Sequence, residues 1–217
     1  MKTTVSLFIL LALATCVSCS KDEITGSGEI ISETREVGLF SKVSSEGVFN
    51  VTITHGDMQS VEIIADNNIM GKVRTVVSGD ELRLFLDDDY KYGKVYLRAN
   101  ITVARLNGLK NFGAGEFQVF GADETGRFDL INSGSGTITL EGSAGSVDIF
   151  NEGSGNIKAF DFKVAQCSAT MIGSGDLEIE CTYSLKASIE GSGNIYYLGT
   201  PVIEAKIEGS GQIINAN

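Results

Sequence analysis

The tripeptide Gly-Ser-Gly occurs five times in the second half of the chain, at Gly134-Ser135-Gly136, Gly153-Ser154-Gly155, Gly173-Ser174-Gly175, Gly191-Ser192-Gly193 and Gly209-Ser210-Gly211. The first glycines are 19, 20, 18 and 18 residues apart, and 21 residues upstream Gly113-Ala114-Gly115 stands where a sixth copy belongs. A self-similar period of this length points to a solenoid, because one repeat cannot bury its own apolar face and a stack of repeats can.

Aligning the copies on the first glycine shows what each repeat buries. Six residues before it stand Phe128, Val147, Cys167, Leu185 and Ile203, and four before it stand Leu130, Ile149, Ala169, Ala187 and Ala205. Four residues after it come Ile138, Ile157, Leu177, Ile195 and Ile213. These columns alternate at strand period on both sides of a turn, and the residues between them, such as Asp129, Asp148, Lys186 and Glu204, are mostly polar and are expected to face water. The period suits one coil of a parallel β-helix, right-handed by the crossover rule. Its corners are expected to stack, with glycine supplying positive φ and Ser135, Ser154, Ser174, Ser192 and Ser210 in one line. At about 4.8 Å per coil, the five intervals from Gly113 to Gly209 span roughly 24 Å. A leucine-rich horseshoe would need a Leu-x-x-Leu-x-Leu frame, and a propeller blade about twice this period.

Upstream of the repeats the alternation is equally clear in Val48 to Thr54, where Phe49, Val51 and Ile53 share one face, and again through Val61, Ile63 and Ala65, then Leu82, Leu84 and Leu86, then Val95, Leu97, Ala99 and Ile101. His55-Gly56-Asp57 and Ser78-Gly79-Asp80 read as tight turns, predicting antiparallel hairpins. The chain is thus read as all-β: a right-handed parallel β-helix over residues 113–217, preceded by antiparallel or wrapping strands over 29–112, in one domain spanning 29–217.

Residues 1–18 have the layout of a secretory signal peptide, with Lys2, the apolar run Val5–Ala14 and small residues before Cys19. Val17-Ser18-Cys19 resembles a lipobox, better than the residues before Cys16 do. Cys19 is therefore the expected lipidation site and residues 19–28 a tether, which gives attachment to a membrane by acyl chains rather than by a spanning segment. Ser20-Lys21-Asp22-Glu23 resembles the short acidic signals that send some Gram-negative lipoproteins to the outer face of the outer membrane; a solvated linker is the alternative. The expectation is an outer-membrane lipoprotein exposed at the cell surface.

Loss of the leader removes Lys2 and no acid, leaving 16 basic against 28 acidic residues. Residues 113–217 hold 5 basic and 14 acidic ones, so the repeat half carries most of the negative charge. Such a surface is a poor partner for nucleic acid.

No reaction is legible in the motifs. Gly-x-Gly binds phosphate ahead of a helix N-terminus, whereas strand-like residues follow here. Asp129 and Asp148 occupy equivalent positions on adjacent coils, as do Glu190 and Glu208, but a catalytic pair needs unlike environments, and no aromatic platform or basic clamp stands in their columns. Asp87-Asp88-Asp89 lacks calcium-loop spacing and reads as a polar hairpin tip. His55 is the only histidine, which rules out a histidine-rich metal centre. Cys167 should be a buried thiol and Cys181 should lie beyond the core columns; a disulfide between them is the alternative. Tyr90, Tyr92, Tyr96, Tyr183, Tyr196 and Tyr197 offer at most part of a stacking surface, since Tyr196 and Tyr197 face opposite ways. No catalytic residue, metal ligand or cofactor is expected, and no ligand-binding residue can be named.

From about Val37 to Gln212 the chain resembles the bacterial "putative auto-transporter adhesin, head GIN domain" family. The resemblance rests on Phe40 with Val43, on Gly47-Val48-Phe49-Asn50-Val51-Thr52-Ile53-Thr54-His55-Gly56, on Val61-Glu62-Ile63 with Asn67-Asn68, on Leu82-Arg83-Leu84, and on the GSG series. It implies a parallel β-helix preceded by wrapping strands and a role in adhesion, and no catalytic residues. The coiled-coil stalk and membrane barrel of a trimeric auto-transporter have no counterpart in this sequence. The leading expectation is a lipid-anchored envelope solenoid that binds an extracellular carbohydrate or protein. A polysaccharide-active enzyme is the alternative, and a self-associating envelope module, cued by Ile213 and Ile214 in the last coil, is the third.

Overall fold

The computed structural model describes residues 22–217, so the expected signal peptide (1–18), Cys16 and the expected lipidation site Cys19 lie outside the described residues. In chain order the first half contains β1 (Glu23–Ile24), β2 (Ile30–Thr34), β3 (Lys42–Ser45), β4 (Asn50–His55), β5 (Ser60–Asp66), the short helix α1 (Asn67–Met70), β6 (Val73–Ser78), β7 (Glu81–Leu86), β8 (Lys91–Tyr92) and β9 (Leu97–Val103). The second half contains β10 (Gly108–Asn111), β11 (Phe117–Asp123), β12 (Arg127–Asn132), β13 (Ile138–Asn151), β14 (Ile157–Met171), β15 (Leu177–Ile189), β16 (Ile195–Leu198), β17 (Val202–Ile207) and β18 (Ile213–Asn215).

The repeats form parallel stacked coils in the register that the alignment predicts. Phe128, Val147, Cys167, Leu185 and Ile203 are successive partners, as are Leu130, Ile149, Ala169, Ala187 and Ala205. Beyond the corner, Ile138, Ile157, Leu177, Ile195 and Ile213 do the same. Two rows of strands result. One precedes the corner and runs β6-β7-β3-β10-β12-β13-β14-β15-β17; the other follows it and runs β2-β5-β9-β4-β11-β13-β14-β15-β16-β18. β13, β14 and β15 bend and serve both rows, and the 18- to 21-residue variation in repeat length is absorbed by register shifts within them.

The glycines of the corner have a different purpose from the one expected. None of the GSG glycines has positive φ; that conformation falls instead at Gly142 (137°) and Gly199 (95°), on the far side of the coil. At the GSG corner the constraint is proximity. A Cβ on Gly153 would lie 1.8 Å from the Gly134 carbonyl oxygen, and one on Gly173 1.8 Å from that of Gly153. The backbones stack too closely for any side chain, so glycine recurs at each level, and Gly134 itself stacks on Gly113 and Gly113 on Gly47. The serines stand in line between them: Ser135 N–H donates to Gly113, Ser192 to Gly173 and Ser210 to Gly191.

Beneath the corner runs a ladder that the column analysis passed over. Asn111, Asn132 and Asn151 are fully buried; the Asn111 amide donates to Asn132 Oδ1 and the Asn132 amide to Asn151 Oδ1, both at 3.1 Å. The same amides reach the carbonyls of Gly115 and Gly155. The ladder satisfies backbone that a tight turn would otherwise leave unpaired inside the core. From the next level the column turns apolar, as Met171, Ile189 and Ile207.

The first half does not stack in sequence order. β3 and β4 form a coil beneath β10 and β11, and β7 and β9, which come later in the chain, lie beneath that coil. The chain therefore begins one level up, descends to the bottom and then crosses over the occupied level to continue. Antiparallel strands close the bottom: β6 pairs with β7, β5 with β9, and β2 with β5. The hairpin at Gly79-Asp80 is the one predicted, with Gly79 at φ 63°. The hairpin predicted at His55-Gly56-Asp57 does not form, because β9 inserts between β4 and β5. Periodicity located the strands, but a later segment took the neighbouring place.

Ile69 and Met70 of α1 are buried in this floor. Asp66, also buried, accepts hydrogen bonds from the Gly28 and Tyr96 amides at 2.7 Å, and β1 pairs with β8. Residues 23–28 of the tether segment are thus fastened to the floor.

Cys167 and Cys181, the two cysteines among the described residues, are free and buried. Cys181 departs from the expectation: it is fully enclosed beside Val164, because the strand following the corner bends inward again before the next coil. Burial raises the thiol pKa of both.

Candidate functional site

Outward side chains of the strand row before the corner form two lines along the solenoid. One line passes from Lys42 and Gly108 to Asp129, Asp148, Ser168, Lys186 and Glu204; the other from Ser44 and Lys110 to Ile131, Phe150, Thr170, Ser188 and Lys206. Between them lies a groove of about 400 Å³ centred on Asp129, Asp148, Ile131 and Phe150. It continues at one end into a second of about 400 Å³ through the shared Lys42, Arg127 and Asp129, and at the other into one of about 320 Å³ through Ser168 and Thr170. The result is one long channel running across successive coils.

Charge in the channel is organised by a residue outside the repeat columns. Arg127 Nε lies 2.7 Å from Asp129 Oδ1 and 2.9 Å from Asp148 Oδ2. The hydrogen bond to Asp129, with the charges of both carboxylates, raises the Arg127 pKa above its usual range. Upstream, Lys110 pairs with Glu81 at 2.5 Å, reaching across β3. Burial pushes the Glu81 carboxyl up, but hydrogen bonds from Lys110 and Ser44 outweigh it and the net shift is downward. Lys42 pairs with Asp80 at 3.3 Å.

The stacked carboxylates expected at Asp129 and Asp148 are therefore brought together, and although their own column holds no basic clamp or aromatic, one of each stands beside them from the columns on either side. Arg127 clamps both, and Phe150 stands two residues from Asp148 on the same outward face. Two carboxylates on one guanidinium sit in like surroundings, whereas general acid–base catalysis needs unlike ones. The line containing Ile131 and Phe150 was visible in the alignment three residues before each GSG, as two large apolar residues in a column expected to be wet.

Other candidates are occupied locally. Arg74 grips both Asp87 carboxylate oxygens, at 2.7 and 2.5 Å. Lys72 Nζ lies 3.8 Å from the centre of the Tyr90 ring, and the Tyr92 hydroxyl donates to the Asp87 carbonyl. His55 is exposed at the end of β4, away from the channel. Among the described residues, no helix is long and apolar enough to cross a membrane.

Solved structures share this architecture. A putative adhesin from Bacteroides fragilis superposes with a TM-score of 0.74 at 25% identity, covering 88% of this chain and 99% of that one. A putative lipid binding protein from Parabacteroides distasonis gives 0.60 at 20% identity over 90% and 100% of the two chains, and a putative adhesin from Parabacteroides merdae 0.53 at 21% over 89% and 100%. At 20% and 21% identity, these two speak for the fold alone. No curated protein matches the chain. The family model described as "Putative auto-transporter adhesin, head GIN domain" matches residues 39–201, which include most of the floor, the asparagine ladder and four of the five GSG corners, and the chain belongs to that family.

Proposed function

We propose that this protein is a lipid-anchored adhesin of the cell envelope, held to a membrane through Cys19 and displayed at the cell surface, and that its channel binds an extracellular glycan. The observation that carries this reading is the channel centred on Phe150. In a strongly acidic protein, Ile131 and Phe150 are the apolar members of an otherwise polar outward line and form a partly buried strip beside the Arg127–Asp129–Asp148 cluster, with Thr170 next along the line. A sugar ring has one apolar face and a rim of hydroxyls, and suits an aromatic face edged by charged and hydroxyl groups. The side-chain lines repeat at the coil spacing of about 4.8 Å, a length comparable to one sugar residue in a chain.

Two measurements test the reading. Protease shaving of intact cells should remove the wild-type protein, and Cys19→Ala should release it from the membrane fraction; survival under shaving followed by degradation after permeabilisation would overturn surface display. On a glycan array, binding should be lost with Phe150→Ala and weakened with Arg127→Ala. Glycan binding that both variants retain, or binding to envelope proteins alone, would overturn the assignment of the channel.

A further inference from the structure

The outer side of the last described coil is exposed. Val202, Ile203 and Ile207 of β17 are 76%, 39% and 46% exposed, although Ile203 and Ile207 belong to columns that are buried at the levels beneath. Ala205 is exposed as well, where its partner Ala187 is buried. The Glu208 N–H donates down to the Ile189 carbonyl; since backbone groups alternate along a strand, the N–H and C=O of Ile203, Ala205 and Ile207 point to the open side. The end therefore presents unpaired backbone and an apolar floor together.

We infer that this end pairs with the same end of a second copy, β17 against β17, antiparallel about a two-fold axis through Ala205. Such an axis must set inward residues against inward residues, so it passes through a residue and not between two. Centred on Glu204, it would oppose Glu204 to itself. Centred on Lys206, it would oppose Lys206 to itself and Glu204 to the partner's Glu208. Centred on Ala205, it sets Glu204 against the partner's Lys206 and Lys206 against the partner's Glu204, and on the inner face each Ile203 against the partner's Ile207. Among these registers only the last matches charge, and it uses the three residues whose backbone groups face outward. Each copy carries a formal charge of −11, which opposes indiscriminate association, so the attraction has to come from this local pattern.

The pair would be long, with residues 23–28 of the two copies at opposite ends. The row before the corner stacks eight strands from β7 to β17, and two such stacks joined end to end measure about 70 Å at ~4.8 Å per strand. The segment entering from the N-terminus is fastened at the floor, at the far end of each copy.

The test uses the full chain in mild detergent, followed by analytical ultracentrifugation over a wide concentration range. Wild type should show a monomer–dimer equilibrium. Glu204→Lys alone and Lys206→Glu alone each set like charges against each other across the axis and should weaken dimerisation by roughly tenfold or more. An equimolar mixture of the two variants restores opposite charges at both contacts and should dimerise again, while circular dichroism shows both variants folded. A wild type that stays monomeric throughout overturns the proposal, as do single variants that dimerise like wild type or a mixture that remains monomeric while wild type pairs.

Discussion

The two ends of this solenoid solve the same problem in opposite ways. At the floor, β6 and β5 run antiparallel across the coil that β7 and β9 form, and α1 tucks Ile69 and Met70 against it, so that Leu82, Leu84 and Ala99 are wholly buried. At the other end the equivalent strands β17 and β18 have a neighbour on one side, and Ile203 and Ile207 stay partly in water. The contrast separates what a repeat needs from what a terminus needs. Every interior coil is completed by its neighbours, whereas a terminal coil must find other chain, charge or a partner.

The largest expected effect tests whether the coils depend on their neighbours. Gly153→Ala would drive a Cβ to 1.8 Å from a carbonyl oxygen with coils packed on both sides, and should cost more than about 4 kcal/mol or prevent folding. Gly209→Ala meets a similar 1.9 Å approach to Gly191, but the last coil can lift away, so its cost should be no more than about 2 kcal/mol by urea unfolding. Equal losses would break the comparison.

Next come the apolar residues of the two ends. Leu84→Ala at the floor should cost about 2–5 kcal/mol, whereas Ile207→Ala, 46% exposed, should cost under about 1 kcal/mol in the monomer. Native-state hydrogen exchange should agree, with β17 and β18 amides exchanging well before those of β7 and β3.

Asn132→Ala, midway between the ends, removes the link between Asn111 and Asn151 and leaves polar groups unpaired in the core, at a cost of about 1–3 kcal/mol. The smallest effect lies near the floor, at Glu81. Its carboxyl is held below the usual glutamate range, so its contribution to stability is present above that range and fades as pH falls through the lowered pKa. Lys110→Met should flatten this part of the acid-unfolding profile, and a profile unchanged by the substitution would show the ion pair to be inert.

Much of the solenoid was legible because a coil's neighbour lies one period away in sequence. Columns such as Phe128, Val147, Cys167 and Leu185 are then spatial stacks as well as aligned letters. The asparagine ladder was present in the same alignment, two residues before each of three corners, but the columns were traced by apolar residues alone; its burial depends on side-chain amides that bond one another. The channel was half legible. Asp129 and Asp148 stood out by register, while Arg127 and Lys42 come from outside the aligned columns and join only when the coils stack.

By itself, then, the sequence determined the coil, its corner and its inner columns, since those depend on contacts repeated at a fixed chain separation. The tertiary structure alone decided the order of the lowest levels, where β7 and β9 slip beneath the earlier β3 and β4, and the exposure of the last coil. Periodicity states which residues face inward; whether anything stands on the other side depends on chain that is distant in sequence.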